Sequence, residues 1–185
     1  SVLVVHPSVP ARSVRELVAL AGARLDGLNY ASAGGGSTMH LAGLLFNMMA
    51  GVSMVHVPYK GGRLALTELI GGQVSLMFGS VILSMPHVST GKLRALAVTS
   101  AKRSIAVPGL PTIAETALPG YEVTTWFALL APAKTPGPVI NKLNAEITSL
   151  LTLPDIRDRM LFHGAEVYHR SSADLGDHIR RELAK

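Results

Sequence analysis

The segment Tyr30-Ala-Ser-Ala-Gly-Gly-Gly-Ser-Thr-Met-His40 limits the fold more than any other part of this sequence. Leu28–Ala31 has the composition of a short strand, and Gly34–Gly36 can turn where a side chain would obstruct. Ser37 then offers a hydroxyl cap for a helix running over Thr38–Ala50, a segment apolar almost all round and therefore expected to be buried. Such a strand–loop–helix unit belongs to an α/β protein. It leaves first-turn N–H groups unpaired at the helix end, where the macrodipole adds about half a positive charge. With the Ser32, Ser37 and Thr38 hydroxyls, this is an arrangement suited to a carboxylate or phosphate. A glycine turn needed only for close strand–helix packing is the alternative. Two more specific motifs do not fit: a dinucleotide fingerprint needs glycine at position 39, where Met39 stands, and a phosphate-binding P-loop needs a Lys that is absent.

The same alternation continues along the chain. Strands are expected at Val2–Val5, Met54–Val57, Val74–Phe78, Leu93–Thr99 and Trp126–Ala131, the fourth buried on both faces. Helices are expected from Ser13 with a Glu16 capping box, at Ala65–Ile70, Ile82–Ser89 and Ile113–Ala117, from Thr135 with Pro136 at its first position, from Pro154 to a break at Gly164, and after Ser171 and Ser172. Asp26-Gly27 reads as a turn. Repeated β–α units imply a mostly parallel sheet. A crossing between two domains is expected near Trp126–Pro132.

Two more strand ends carry polar groups. His56-Val-Pro-Tyr-Lys-Gly-Gly62 places the Tyr59 hydroxyl and the Lys60 charge after one strand, and Met77-Phe-Gly-Ser80 places Gly79 and Ser80 after another. Ligands of open α/β sheets gather at such ends. His40 is one turn into its helix, within reach of an anion or of a backbone carbonyl, and His56 is expected to make a structural hydrogen bond. The histidines lack metal-site spacing, and with no cysteine there is no thiolate ligand or nucleophile. No Gly-x-Ser-x-Gly elbow is present, and Glu68 is the only carboxylate in the middle of the chain. Binding is favoured over catalysis.

Charge points the same way. Seventeen Lys and Arg against twelve Asp and Glu give +5, and the stretch Gly27–Ala114, with six basic residues and Glu68, carries that whole excess. The basic residues are scattered and aromatics are few, which argues against nucleic acid and for a small anion. No apolar run reaches the ~20 residues of a membrane span.

Several motifs, taken in order, resemble one family over essentially the whole chain: the Tyr30–Gly43 run, His-Val-Pro-Tyr-Lys-Gly-Gly, Gly-Gly-Gln-Val-Ser-Leu-Met-Phe, Gly-Lys-Leu-Arg-Ala-Leu-Ala-Val-Thr-Ser, Pro-Gly-Tyr-Glu and Leu-Leu-Ala-Pro-Ala-Lys-Thr-Pro. They are similar to the Bug or TctC-like solute-binding receptors of tripartite tricarboxylate transporters. The resemblance implies an α/β, periplasmic-binding-protein-like (type II) architecture of two lobes. It implies a periplasmic receptor, not an enzyme, that captures a small carboxylate (a di- or tricarboxylate, an acidic amino acid or a nicotinate-like compound) for membrane permease subunits. No cofactor, metal, nucleic acid or direct membrane insertion is implied. A ligand carboxylate would be held by Ser32, Ala33, Gly34, Gly35, Gly36, Ser37 and Thr38, with His40, Tyr59, Lys60, Gly79 and Ser80 around it. Residues 1–125 would form the ligand-binding lobe, nearly complete, and residues 126–185 part of the other lobe. Family members begin with a stretch that this chain lacks, so the chain is expected to be a fragment or a truncated gene product, with weak binding or none. They often carry Asp where this chain has Gly79. An effector domain of a transcription regulator, or an enzyme acting on a small carboxylate, are the competing expectations.

Overall fold

The computed structural model describes residues 1–23, 27–162, 164–168 and 171–183. The chain divides into two compact units, Ser1–Thr125 and Trp126–Lys185.

The first unit is built on a five-stranded sheet of β1 (Val2–Val5), β2 (Asn29–Ser32), β3 (Val55–Pro58), β4 (Leu76–Gly79) and β5 (Arg94–Val98), in the order β3-β2-β4-β1-β5. β2 is parallel to β3 and β4, whereas β1 runs antiparallel to both β4 and β5. The mostly parallel sheet expected from the β–α alternation therefore has one reversed strand, β1, between β4 and the edge strand β5. All four residues of β1 are buried, because helices cover both sheet faces. β5 is an edge strand whose Arg94 and Ala95 are only half-buried, so burial on both faces holds only for Leu96–Val98. Its outer edge is capped at Val98 by the Pro111 carbonyl, 2.8 Å away.

The intervening helices are α1 (Val14–Ala23), α2 (Thr38–Ala50), α3 (Gly62–Ile70), α4 (Val81–Ser89) and the short α5 (Ile113–Thr116). Ser13 Oγ accepts the Glu16 N–H at 3.2 Å, but Glu16 Oε2 accepts from Arg12 rather than Ser13, so the expected capping box closes one residue early. A reciprocal box does form at α5, between Thr112 and Glu115. There the Thr112 backbone N–H, and then Arg103, hold the Glu115 carboxyl below its ordinary value. The turn expected at Asp26-Gly27 lies partly outside the described residues.

α2 is not buried all round. Ala42, Gly43 and Phe46 face the sheet, while Leu41, Leu44 and Met48 are exposed. Its inner stripe uses small residues so that the helix can lie close. A β-carbon on Gly43 would stand 2.2 Å from the Tyr30 ring. Around this contact pack Phe46, Phe78 and Tyr121, with ring centroids 5.7 and 6.2 Å from Phe46 in tilted and edge-on geometry. The buried Tyr121 hydroxyl donates to the Ala42 carbonyl at 2.9 Å, and burial raises its pKa.

The second unit contains α6 (Gly137–Thr152), α7 (Pro154–Phe162) and α8 (Ser172–Leu183), with α7 and α8 both against α6. None of these helices has a fully buried residue. The strand expected at Trp126–Ala131 does not form, because no described strand offers those residues a ladder and a lone strand leaves its backbone unpaired. Thr135 does not cap α6. Pro136 (φ −59°, ψ 140°) is the extended cap residue, and Thr135, held extended by the proline after it, precedes the helix. Ser171 caps α8, with its Oγ accepting the Asp174 N–H at 3.1 Å; Ser172 is already helical.

Gly43→Ala should destabilise the first unit by about 1–3 kcal/mol, because the Tyr30 ring is already held by neighbours on both sides. The gain in helix propensity of ~1 kcal/mol opposes this only in part. Urea unfolding followed by circular dichroism measures the balance, and an unchanged or raised midpoint would contradict the close approach.

Candidate functional site: helix ends at the carboxyl edge of the sheet

β2, β3 and β4 are parallel and adjacent, so the helices that follow them start at one sheet edge. That edge gathers the N-termini of α2, α3 and α4, introduced by Gly34–Ser37, Tyr59–Gly61 and Ser80. Among the described residues, the N–H groups of Thr38 and Met39, of Gly62, Arg63 and Leu64, and of Val81 and Ile82 have no acceptor within the chain. Gly61 caps α3 without a side chain, which leaves its first turn the most open of the three.

The loop before α2 is shaped by hydrogen bonds. Ser32 is buried at the end of β2, and its Oγ accepts the Gly34 N–H at 3.0 Å. The Gly34 carbonyl accepts both the Ser37 hydroxyl, at 2.7 Å, and the Ser37 N–H, at 3.2 Å. Ser37 Oγ in turn accepts the His40 N–H at 3.3 Å, which makes Ser37 the helix cap that its sequence position predicts. Gly34 (φ 126°) and Gly36 (φ 76°) adopt conformations closed to most side chains. Gly35 has neither a positive φ nor any atom within 4 Å of where a β-carbon would lie. Ala33 is half-buried, Gly35 is exposed, and Thr38 opens the helix.

His40 does not bond a core carbonyl. Its Nδ1 accepts the Gly36 N–H at 3.0 Å, and its ring stacks on His56 at 4.0 Å with 20° between planes. His56 lies 2.7 Å from Ser32 Oγ through Nε2 and stacks on Tyr30 at 5.1 Å. The structural hydrogen bond expected of His56 is therefore made to the loop itself. Burial, and then the neighbouring His40, lower the pKa of His56 from its ordinary 6.5. Tyr30 has a buried hydroxyl with no partner among the described residues, and burial raises its pKa.

The other predicted residues are more dispersed. The Tyr59 N–H donates to the Ser32 carbonyl at 3.0 Å, tying the second loop to the first. The Tyr59 ring is half-buried against the α3 side of the core, and burial followed by Glu68 raises its pKa. Lys60 is exposed. Ser80 caps α4 by accepting the Leu83 N–H at 3.4 Å. Gly79 is buried, and a β-carbon there would lie 2.6 Å from Ser84 Oγ, so an aspartate at this position would require repacking of α4. The sequence patterns gave no sign of the open α3 terminus or of the His40–His56 stack. Gly61 with a positive φ just before Gly62–Ile70 was the available signal for the first, but reading it required knowing where that helix starts. Two surface hollows, of about 310 and 330 Å³, are lined by Arg15, Glu115 and Pro119 and by Pro7, Arg12 and Arg94; neither touches this edge. No described helix is long and apolar enough to cross a membrane.

Parallel strands that deliver several free helix ends to one edge are the arrangement at which open α/β folds in general bind ligands, and likeness to known proteins supplies the family. The model of the tripartite tricarboxylate transporter family receptor (TctC) matches residues 1–185, and the chain belongs to that family. It is 38% identical over 186 residues to a UPF0065 protein from the tcbD–tcbE intergenic region of Pseudomonas sp. strain P51, covering 100% of this chain and 55% of that relative. The chain thus spans little more than half the length of that curated relative. Among solved structures, Rpa4515 of R. palustris with adipate superposes with a TM-score of 0.92 at 38% identity, over 99% of this chain and 61% of that one. MatC of Rhodopseudomonas palustris with bound malate gives 0.87 at 32%, over 99% and 62%. The periplasmic binding protein BugD gives 0.84 at 31%, over 99% and 62%. The Bug/TctC resemblance and the periplasmic-binding-protein fold are thereby established.

The lowered pKa of His56 fixes the sign of a pH effect. The folded state favours neutral His56, so the unfolded chain binds the extra proton first. The stabilisation is complete above pH 6.5 and is lost as pH falls through the lower folded value. Urea midpoints should therefore decline more steeply between pH 7 and pH 5 in the unaltered chain than in His56→Gln. Parallel profiles would contradict the neutral imidazole at position 56.

Proposed function

We propose that this chain is the carboxylate-capturing portion of an extracytoplasmic receptor that serves a tripartite tricarboxylate-type transporter in the periplasm. One carboxylate of a small organic acid sits on the free amides of Thr38 and Met39, framed by Ser32, Ala33, Gly34–Gly36 and Ser37. Donors from the Gly62–Leu64 and Val81–Ile82 turns, with Tyr59, Lys60, Gly79 and Ser80 nearby, face the rest of the ligand. Residues 1–125 are the ligand-binding lobe, and residues 126–185 belong to the other lobe of the complete receptor. Membrane permease subunits take up the ligand, and no chemistry is performed on it.

The observation that carries this reading is the set of unpaired N–H groups at three adjacent helix termini. Buried or half-buried amides bind an anion without bringing a counter-charge that must itself be desolvated. Two relatives of known structure hold adipate and malate, both small dicarboxylates, which supports the ligand class. The loops Ala33–Ser37, Tyr59–Gly61 and Gly79–Ser80 carry no carboxylate to act as a general base, which supports capture over turnover.

Amide resonances provide the test. Titration of the chain with adipate or malate should shift Thr38, Met39, Arg63 and Ile82 while leaving the α1 amides still. The expected affinity is weak, on the order of 0.1–1 mM, because a small ligand held on one side forgoes much of its burial. Ser37→Ala should weaken binding about fivefold through the lost loop hydrogen bond. Gly35→Val should block the shelf without lowering the urea midpoint. If no dicarboxylate moves these amides, or if Ser37→Ala and Gly35→Val bind as well as the unaltered chain, the helix-end site is wrong.

A further inference from the structure

The capture site described above leaves the His40–His56 stack without a role, although it makes two of the hydrogen bonds that shape the glycine loop. No atom lies within 4 Å of a β-carbon built at Gly35 or Gly36. On that side the loop has no packing to hold it, and hydrogen bonds fix its turn. Within the turn, Gly34 is held at both its N–H and its carbonyl. Gly36, at φ 76°, is held by one bond, from its N–H to His40 Nδ1 at 3.0 Å. Without that acceptor the Gly36 peptide is free to rotate, since a glycine has several accessible backbone conformations.

The imidazole is aimed by what lies behind it. His40 stacks on His56 at 4.0 Å, His56 stacks on Tyr30 at 5.1 Å, and Tyr30 abuts Gly43 of α2 itself. The stack runs from the helix across β3 and β2 and back to the helix. It closes on the loop a second time through His56 Nε2 and Ser32 Oγ, 2.7 Å apart. An acceptor role for Nδ1 requires that this nitrogen carry no proton, so His40 is the neutral Nε2–H tautomer. An imidazolium would set an N–H donor against the Gly36 N–H donor. Few titratable groups lie on the elements packed against α2. β2 brings Tyr30, β3 brings His56, Leu76–Gly79 of β4 brings nothing titratable, and α2 has no charged residue.

We propose that His40 is a positioning residue for the anion loop: as a neutral imidazole backed by His56, it clamps the Gly36 amide and so holds Gly34–Ser37 in the shape that leaves the Thr38 and Met39 amides open to a ligand carboxylate. The clamp is a property of the loop. Its use in capture rests on the function proposed above.

Two measurements on the chain separate these. The Gly36 amide should exchange with solvent about tenfold more slowly in the unaltered chain than in His40→Leu, and nearly as slowly in His40→Asn, where the asparagine Oδ1 can take the place of Nδ1 as acceptor. Adipate should bind His40→Leu about five- to tenfold more weakly than the unaltered chain and bind His40→Asn within about twofold. Gly36 exchange indifferent to His40→Leu overturns the clamp, as does equal adipate affinity in all three proteins. If adipate binds none of them, the carboxylate reading fails, and Gly36 exchange in the three proteins still decides for or against the clamp.

Discussion

The closeness of α2 to the sheet is the constraint on which the rest depends. Tyr30 lies against Gly43 at a distance that no side chain at position 43 would allow. That contact sets the height of the helix over β2, and the loop between them has only five residues, Ala33–Ser37, in which to climb. A climb that short needs left-handed glycine conformations and a serine that caps the helix while holding the Gly34 carbonyl. The same height brings His40 over His56. The loop, its open amides and the imidazole stack are all consequences of one tight aromatic–glycine contact buried among Phe46, Phe78 and Tyr121.

Electrostatics at this edge is a division of labour between neutral dipoles and distant charges. The basic residues that give the middle of the chain its excess are not gathered at the loop. Arg94 uses its guanidinium on the carbonyls of Val9 and Ala11, both 3.1 Å away, and Arg103 pairs with Glu115 at 3.1 Å. Lys60 and Arg63 are exposed near the α3 terminus. Charges so placed raise the local concentration of anions, with a strength that falls as salt rises. In the proposed function, holding a carboxylate in a fixed pose is left to amides, whose direction is set by the backbone and whose desolvation costs little. On that proposal different acids would be tolerated, because the amides read the carboxylate group and leave the remainder of the molecule to surrounding donors.

Much of this was legible in the residues. Ser37 as a cap, the glycine loop, the helices around Ala65 and Ile82 and the short strands all carry local signals, and the structure has them within one to three residues of the expected bounds. The failures share a cause. Trp126–Ala131 has strand composition, but a strand exists only through a neighbour, and the described residues supply none. α2 is apolar on every face, which cannot tell the face that meets Tyr30 from the one that carries Leu41, Leu44 and Met48. His40 has the sequence context of a core histidine, and its true partner, the Gly36 amide four residues earlier, becomes visible only once the loop turns back on itself.

The sequence by itself determined the local chemistry of the chain: where helices begin, where glycine must bend, that no thiol is available, and that the charge suits small anions. These follow from short-range sterics, caps and composition, which act within a few residues. Tertiary structure alone decided that β1 enters reversed between β4 and β5, that three helix termini meet at one edge, and that two histidines stack against Tyr30. Those depend on strand order and on the depth at which α2 sits, which are set by packing between residues distant in the chain.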